Sequence, residues 1–170
     1  AGGLLNYCKG HGVDSNVLEK AGILVRYAAG EPAERFRRKI TFPIFDVKGR
    51  VAGFGARSLD GSQPKYINSP ETPIFSKSKC LYGINFSGPH IRGKDSVLIV
   101  EGYVDFLTPY QNGVKNLVAS LGTALTVEQV RLLSRFTKNV VMVYDGDQAG
   151  VAATLRGLDI LLAEEFDVRI

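Results

Sequence analysis

Three carboxylates stand where this chain could do chemistry: Glu101 in Glu101-Gly-Tyr-Val-Asp105, and Asp145 and Asp147 in Asp145-Gly-Asp-Gln-Ala-Gly150. Carboxylates gathered in one place repel and raise one another's pKa. A divalent cation resolves that conflict. Magnesium takes oxygen ligands, keeps several waters, and is shared between one or two carboxylates and substrate phosphates. Two such ions can clamp an in-line phosphoryl transfer. Gly102 and Gly146, beside the acids, keep the backbone slim enough for a phosphate to approach. Each signal has a plainer explanation, since Asp-Gly-Asp alone is usually a turn and a Glu after a strand is often a cap. Their joint placement favours a metal site.

That placement comes from the elements around them. Val97–Val100 is a short β-branched run, a buried strand by type, and a helix follows through Val104, Phe106 and Leu107. Leu117–Leu121 is a second strand. Thr126 and Gln129 form a capping box for a helix through Leu133. Val140–Tyr144 is a third strand, and Asp147 caps a long helix through Ala152, Leu155, Leu158 and Leu162. Asp167–Ile170 opens a fourth strand. The order βαβαβαβ implies an α/β fold with a mostly parallel sheet flanked by helices. Ligands of such sheets bind beyond the carboxyl ends of the strands, which is where Glu101, Asp145 and Asp147 fall.

The charge is uneven. The 170 residues carry a net +4, but residues 35–79 hold ten basic side chains against three acids, and residues 95–170 hold six against ten. The first stretch suits a polyanion and the second can hold cations, although solvated surface would look the same. Within the basic half, Asp14 or Ser15 caps a short helix reaching roughly Leu24. Ile40–Asp46 and Arg50–Leu59 read as strands joined by a turn at 47–49. Gly53 and Gly55 flank Phe54 and mark a strand kink rather than a nucleotide loop. Residues 65–70 are extended, and 87–89 form a loop. Cys8 and Cys80 are isolated thiols, and the lone Cys8-x-x-His11 pair cannot complete a zinc site. No apolar run is long enough to cross a membrane.

At its acidic motifs the sequence resembles the Toprim family, whose signature is a Glu after the first strand and an Asp-x-Asp after the third. Ala119-Ser-Leu-Gly-Thr123 and Tyr144-Asp-Gly-Asp-Gln-Ala-Gly150 resemble the version found in bacterial DNA primases. So do Arg38-Lys-Ile-Thr-Phe-Pro-Ile44, Gly49–Arg57, Pro64–Thr72 and Leu81-Tyr-Gly83 in the basic half. The resemblance implies two parts: a mixed α+β basic subdomain over 1–94 that holds nucleic acid and nucleotide, and a Toprim domain over 95–170. It implies Glu101, Asp145 and Asp147 as catalytic residues holding magnesium, or manganese in its place, with Asp105 in support. It assigns nucleotide and nucleic-acid contacts to Arg37, Arg38, Arg57, Lys65, Tyr66, Asn68 and Lys77, with Lys39 a further candidate for phosphate. The activity implied is RNA primer synthesis on a single-stranded DNA template in the bacterial cytoplasm. The implied partners are ribonucleoside triphosphates, the RNA–DNA hybrid and, through a domain outside this chain, the replicative helicase. Zinc is expected only in a separate module, and further aspartates are expected beyond Ile170. Two rivals remain: a Toprim nuclease or topoisomerase, and a non-catalytic nucleic-acid-binding module.

Overall fold

Alternating and continuous apolar patterns build two kinds of sheet in this chain. The computed structural model describes residues 3–26, 30, 32–122 and 124–170. The chain packs into two units, Ala1–Ile44 with Val51–Ser76, and Phe45–Arg50 with Lys77–Ile170.

The first unit begins with helices α1 (Gly3–Gly10) and α2 (Ser15–Lys20). Asp14 caps α2 by accepting from Asn16 N at 2.7 Å. The helix is shorter than the apolar pattern predicts, because Gly22 takes a left-handed φ of 70° and turns the chain into a strand. That strand, β1 (Leu24–Val25), pairs antiparallel with β2 (Ala33–Glu34) in a ribbon not foreseen from the sequence. β3 (Lys39–Phe45), β4 (Val51–Ser58) and β5 (Tyr66–Asn68) form a three-stranded sheet with β4 in the middle. The core of this unit gathers Leu18, Leu24, Ile44, Ala52, Ala56 and Phe75, all buried. Gly53 is needed for packing: a Cβ there would lie 2.9 Å from the Phe75 ring.

The second unit is the parallel sheet. A 3-10 turn (Lys77–Lys79) leads to α3 (Ile84–Lys94). There follow β6 (Val97–Val100), α4 (Tyr103–Gln111), β7 (Leu117–Ala119), α5 (Val127–Leu133), β8 (Asn139–Met142), α6 (Gln148–Ala163) and β9 (Asp167–Arg169). The strand order is β7-β6-β8-β9, all parallel, so β6 lies between β7 and β8. Val97, Ile99, Val118, Val140 and Met142 from the strands meet Ile91, Val130, Leu133 and Leu161 from the helices in one core.

The sequence places a loop at 87–89, and the structure corrects it: Ser87, Gly88 and Pro89 lie inside α3. Ile84, Ser87, Gly88 and Ile91 form the buried face of that helix, at the i, i+3, i+4, i+7 spacing of an amphipathic stripe. Gly88 is there because a Cβ would come within 2.7 Å of the Phe136 ring. Tertiary burial thus overrides the breaker residues.

α5 carries the capping box that its sequence announces. Thr126 Oγ1 accepts from Gln129 N at 3.2 Å, and Gln129 Oε1 accepts from Thr126 N at 3.1 Å. Both side chains also tie the helix to the 3-10 turn. Thr126 Oγ1 donates to Ser78 O at 2.5 Å, and Gln129 Nε2 donates to Lys77 O at 3.1 Å and Cys80 O at 2.8 Å. Thr126→Ala is expected to cost about 1–2 kcal/mol in urea unfolding, one cap and one partly buried hydrogen bond. Thr126→Ser should recover most of it.

Candidate functional site

In a parallel sheet ordered β7-β6-β8, the chain leaves β6 towards one side and arrives at β8 on the other. The crevice lies where those directions part, outside the carboxyl ends of β6 and β8. Glu101 follows β6 there and Asp145 follows β8. The two are joined directly: Asp145 N donates to Glu101 Oε1 at 3.0 Å. Glu101 is held from the β7 side too, since Gly122 N donates to its carbonyl oxygen at 3.0 Å.

Asp147 is placed by α6, not by the strand. It caps the helix, its Oδ1 accepting from Gly150 N at 2.7 Å, where the helix dipole favours negative charge. Asp105 sits in the first turn of α4, and its Oδ2 accepts from Gly102 N at 2.9 Å. Glu101, Asp105 and Asp145 line one hollow with Val104, Thr108, Pro109 and Val143. The close approach that matters is at Gly150. A Cβ there would sit 2.1 Å from Asp145 O and 3.1 Å from Glu101 Oε1, so only glycine lets α6 start against this edge. Gly146, singled out in the sequence, instead faces open space. Gly150 was legible only as a glycine inside a helix's first turn.

Among the described residues, no three acidic, histidine or cysteine side chains converge into a ready-made metal cage. No salt bridge to Glu101, Asp105, Asp145 or Asp147 is found there either. The donor set is nevertheless all oxygen, and one oxygen each of Glu101 and Asp147 is committed to a backbone amide, leaving the second. That suits magnesium, which keeps much of its water and binds by one or two carboxylates.

Tyr144 closes the floor of the site. Burial pushes its phenol above the ordinary 10.0; the hydrogen bond to Ser120 Oγ (3.4 Å) opposes that shift, and the Glu101 charge adds to it.

The basic candidates divide between the units. Arg37 and Arg38 are exposed in the turn before β3, with Arg38 at φ 53° and its carbonyl accepting from Leu59 N. Lys39 begins β3, Arg57 lies at the end of β4, and Lys65 precedes β5. Because the strands alternate in direction, these residues share one end of the sheet. Arg57 is paired in register with Tyr66 and lies over its ring, 5.6 Å from the centroid. One face of Tyr66 is therefore covered by a cation. Asn68 lies two residues further along β5, where its carbonyl accepts from Arg35. Lys77 is in the second unit, half-buried, and burial lowers its pKa. Arg50 is explained by its ion pair with Asp46 (2.7 Å). The His11 ring lies tilted against Tyr7, 4.2 Å between centroids, with its Nδ1 2.9 Å from the Tyr7 carbonyl oxygen.

Comparison with known proteins agrees along the chain. Residues 1–87 match the family model of the DNA primase catalytic core, N-terminal domain, and residues 95–170 match that of the Toprim domain. A DNA primase of Clostridium acetobutylicum is 50% identical over 98% of this chain, which spans 28% of that protein's length. One of Deinococcus radiodurans is 43% identical over 98%, and the chain spans 30% of it. Among solved structures, the Aquifex aeolicus primase (zinc-binding and RNA polymerase domains) superposes with a TM-score of 0.91 at 37% identity, over 97% of this chain and 41% of that one. A DnaG primase catalytic domain bound to single-stranded DNA gives 0.83 at 41% identity, over 94% and 50%. The parallel sheet is thus of the Toprim type.

The Tyr144 phenol is a local probe of Glu101. With its folded pKa raised, Tyr144 contributes stability that is whole below the unfolded value near 10 and is lost as pH rises through the folded one. Burial also raises the Tyr82 and Tyr103 phenols, so spectrophotometric titration should show three tyrosines ionising later than the exposed ones, and two in Tyr144→Phe. Glu101→Gln should move the Tyr144 ionisation down, because it removes a nearby negative charge.

Proposed function

Because the chain belongs to the DNA primase catalytic-core family, we propose that it serves DNA-directed synthesis of RNA primers on single-stranded DNA. The observation that carries the chemistry is the direct link between Glu101 and Asp145 at the crevice between β6 and β8. The family implies a divalent metal, and we assign magnesium, or manganese in its place, to Glu101, Asp145 and Asp147. When bound, the ion neutralises charge on the transferring phosphate and lowers the pKa of the attacking hydroxyl.

In the reaction, the 3′-oxygen of one nucleotide forms a bond to the α-phosphorus of the next. The bond from that phosphorus to the β-phosphate oxygen breaks, its electron pair leaves with pyrophosphate, and the hydroxyl proton passes to solvent. Glu101 and Asp145 present oxygen ligands from neighbouring strand ends. Asp147 presents one from the start of α6. Asp105 keeps the Glu101-Gly102 segment in place through the Gly102 amide.

The functional division we propose puts nucleic-acid and nucleotide holding in residues 1–94 and metal chemistry in 95–170. Arg37, Arg38, Arg57 and Lys65 at one end of the β3-β4-β5 sheet hold phosphates, as a polyanion site needs. Tyr66 assists by stacking against a base or sugar, and Asn68 and Lys77 assist. The template, the RNA–DNA hybrid and ribonucleoside triphosphates are the ligands. The helicase contact and the zinc module belong to other parts of a protein of the relatives' length. Among the described residues no helix is long and apolar enough to cross a membrane.

The test is ribonucleotide incorporation on single-stranded DNA by a protein of the relatives' full length carrying this segment. Synthesis should require template and magnesium and vanish in Glu101→Gln and Asp145→Asn while DNA binding persists. Magnesium-dependent nicking of plasmid DNA without synthesis would point to a nuclease instead. Affinity for single-stranded DNA should fall steeply with salt, and Lys65→Ala should weaken it alike on all sequences, reducing the salt slope by about 1.

A further inference from the structure

We propose that Arg156 binds the β- and γ-phosphates of the incoming ribonucleotide and the pyrophosphate they become, an assignment that rests on the primer-synthesis reading. Glu101 borders two hollows. The second, about 270 Å³, is lined by Glu101, Ser120, Gly122, Tyr144 and, from α6, Ala153 and Arg156. Ala153 and Arg156 are three residues apart and so share a face of the helix. Side chains on a helix lean towards its N-terminus, so Arg156 leans towards the Asp147 end of α6, the end that meets the carboxylate edge.

The charge pattern selects the ligand. An acid, Glu101, and a base, Arg156, line the same hollow, with Ser120 and Tyr144 among the residues beside them. Arg156 is exposed, and among the described residues it makes no hydrogen bond or ion pair. Of the other arginines of this unit, Arg131 is taken by Glu164 at 2.9 Å and Arg50 by Asp46, and Arg92 lies over the Phe136 ring at 4.3 Å, while Arg135 and Arg169 do not line this hollow. Asp159, one turn further along α6, does not capture Arg156. An arginine without an ion pair that lines such a hollow is matched to a phosphate, which a guanidinium can grip by two hydrogen bonds at once. A phosphate cannot sit against Glu101 alone. With the cation of the proposed site on the Glu101 side, Arg156 supplies positive charge from α6. Negative charge grows on the β-phosphate oxygen as the bond to the α-phosphorus breaks, so a fixed guanidinium there favours departure. The hollow is also large enough: at about 30 Å³ for each water, 270 Å³ exceeds what a few waters fill.

The experiment compares wild type, Arg156→Ala and Arg156→Lys in a protein of the relatives' full length. Magnesium pyrophosphate binding is followed by calorimetry, alongside the KM for ribonucleotides, the Kd for single-stranded DNA and the Tm. Arg156→Ala should weaken pyrophosphate binding and raise KM by about tenfold or more, the loss of one charge-assisted contact. The DNA Kd and the Tm should stay as in wild type, and Arg156→Lys should recover part of the loss. Unchanged pyrophosphate binding in Arg156→Ala would overturn the assignment, and so would a wild type that binds none. An equal loss of DNA affinity would overturn it in favour of a template contact. A wild type that binds pyrophosphate through Arg156 yet makes no primers would sink the primer-synthesis reading while leaving the anion site standing.

Discussion

Because β6 and β8 run parallel and side by side, the residues leaving their carboxyl ends have nowhere to go but the same crevice. Ile99 stands opposite Met142 in the register, so Glu101 and Asp145 emerge as neighbours without any long-range adjustment. The backbone then fixes the carboxylate. The Asp145 amide holds Oε1, and the Gly122 amide, from the loop after β7, holds the carbonyl of the same residue. A side chain clamped at both ends in this way loses little further freedom when it takes up a ligand, which is what preorganisation requires.

Charge is segregated to match. The antiparallel sheet of the first unit collects Arg37, Arg38, Lys39, Arg57 and Lys65 at one end, because three strands alternating in direction bring two starts and one finish together. The parallel sheet instead collects acids at the carboxyl ends of its strands. One arrangement suits a long polyanion held by its phosphates. The other suits small hard cations and the phosphates that accompany them. Two topologies thus produce two electrostatic characters in one chain.

Legibility followed the range of the forces involved. β6, β8, α6 and the α5 capping box could be read from the sequence because their signals are local: β-branched runs, and Asp147 and Thr126 before apolar periodic stretches. α3 was missed because its Gly88 and Pro89 are breakers locally, and packing on Phe136 explains Gly88. The β1-β2 ribbon was missed because two-residue strands carry no periodicity. In the site, the acid types and their order could be read, but not the tightness at Gly150 or the free guanidinium of Arg156, which depend on what α6 meets. Val104, expected on the packed face of α4, is 40% exposed and lines the hollow beside Glu101, while Tyr103 and Phe106 take the buried face.

The three carboxylates are not equivalent, and the difference follows from what holds each. Asp147 spends Oδ1 on the Gly150 amide to start α6, so it can offer a ligand only the other oxygen. Glu101 spends Oε1 on the Asp145 amide and is likewise limited. Asp145 is different. Its amide is the donor in that bond, and its carbonyl lies against Gly150, but neither side-chain oxygen is committed among the described residues. Asp145 therefore keeps both side-chain oxygens for a ligand, where Glu101 and Asp147 each keep one. Gly150 couples the arrangement, because a larger residue would push α6 off the Asp145 carbonyl and carry Asp147 with it. A helix start, a strand end and a carboxylate are in this way fixed by one missing methyl group.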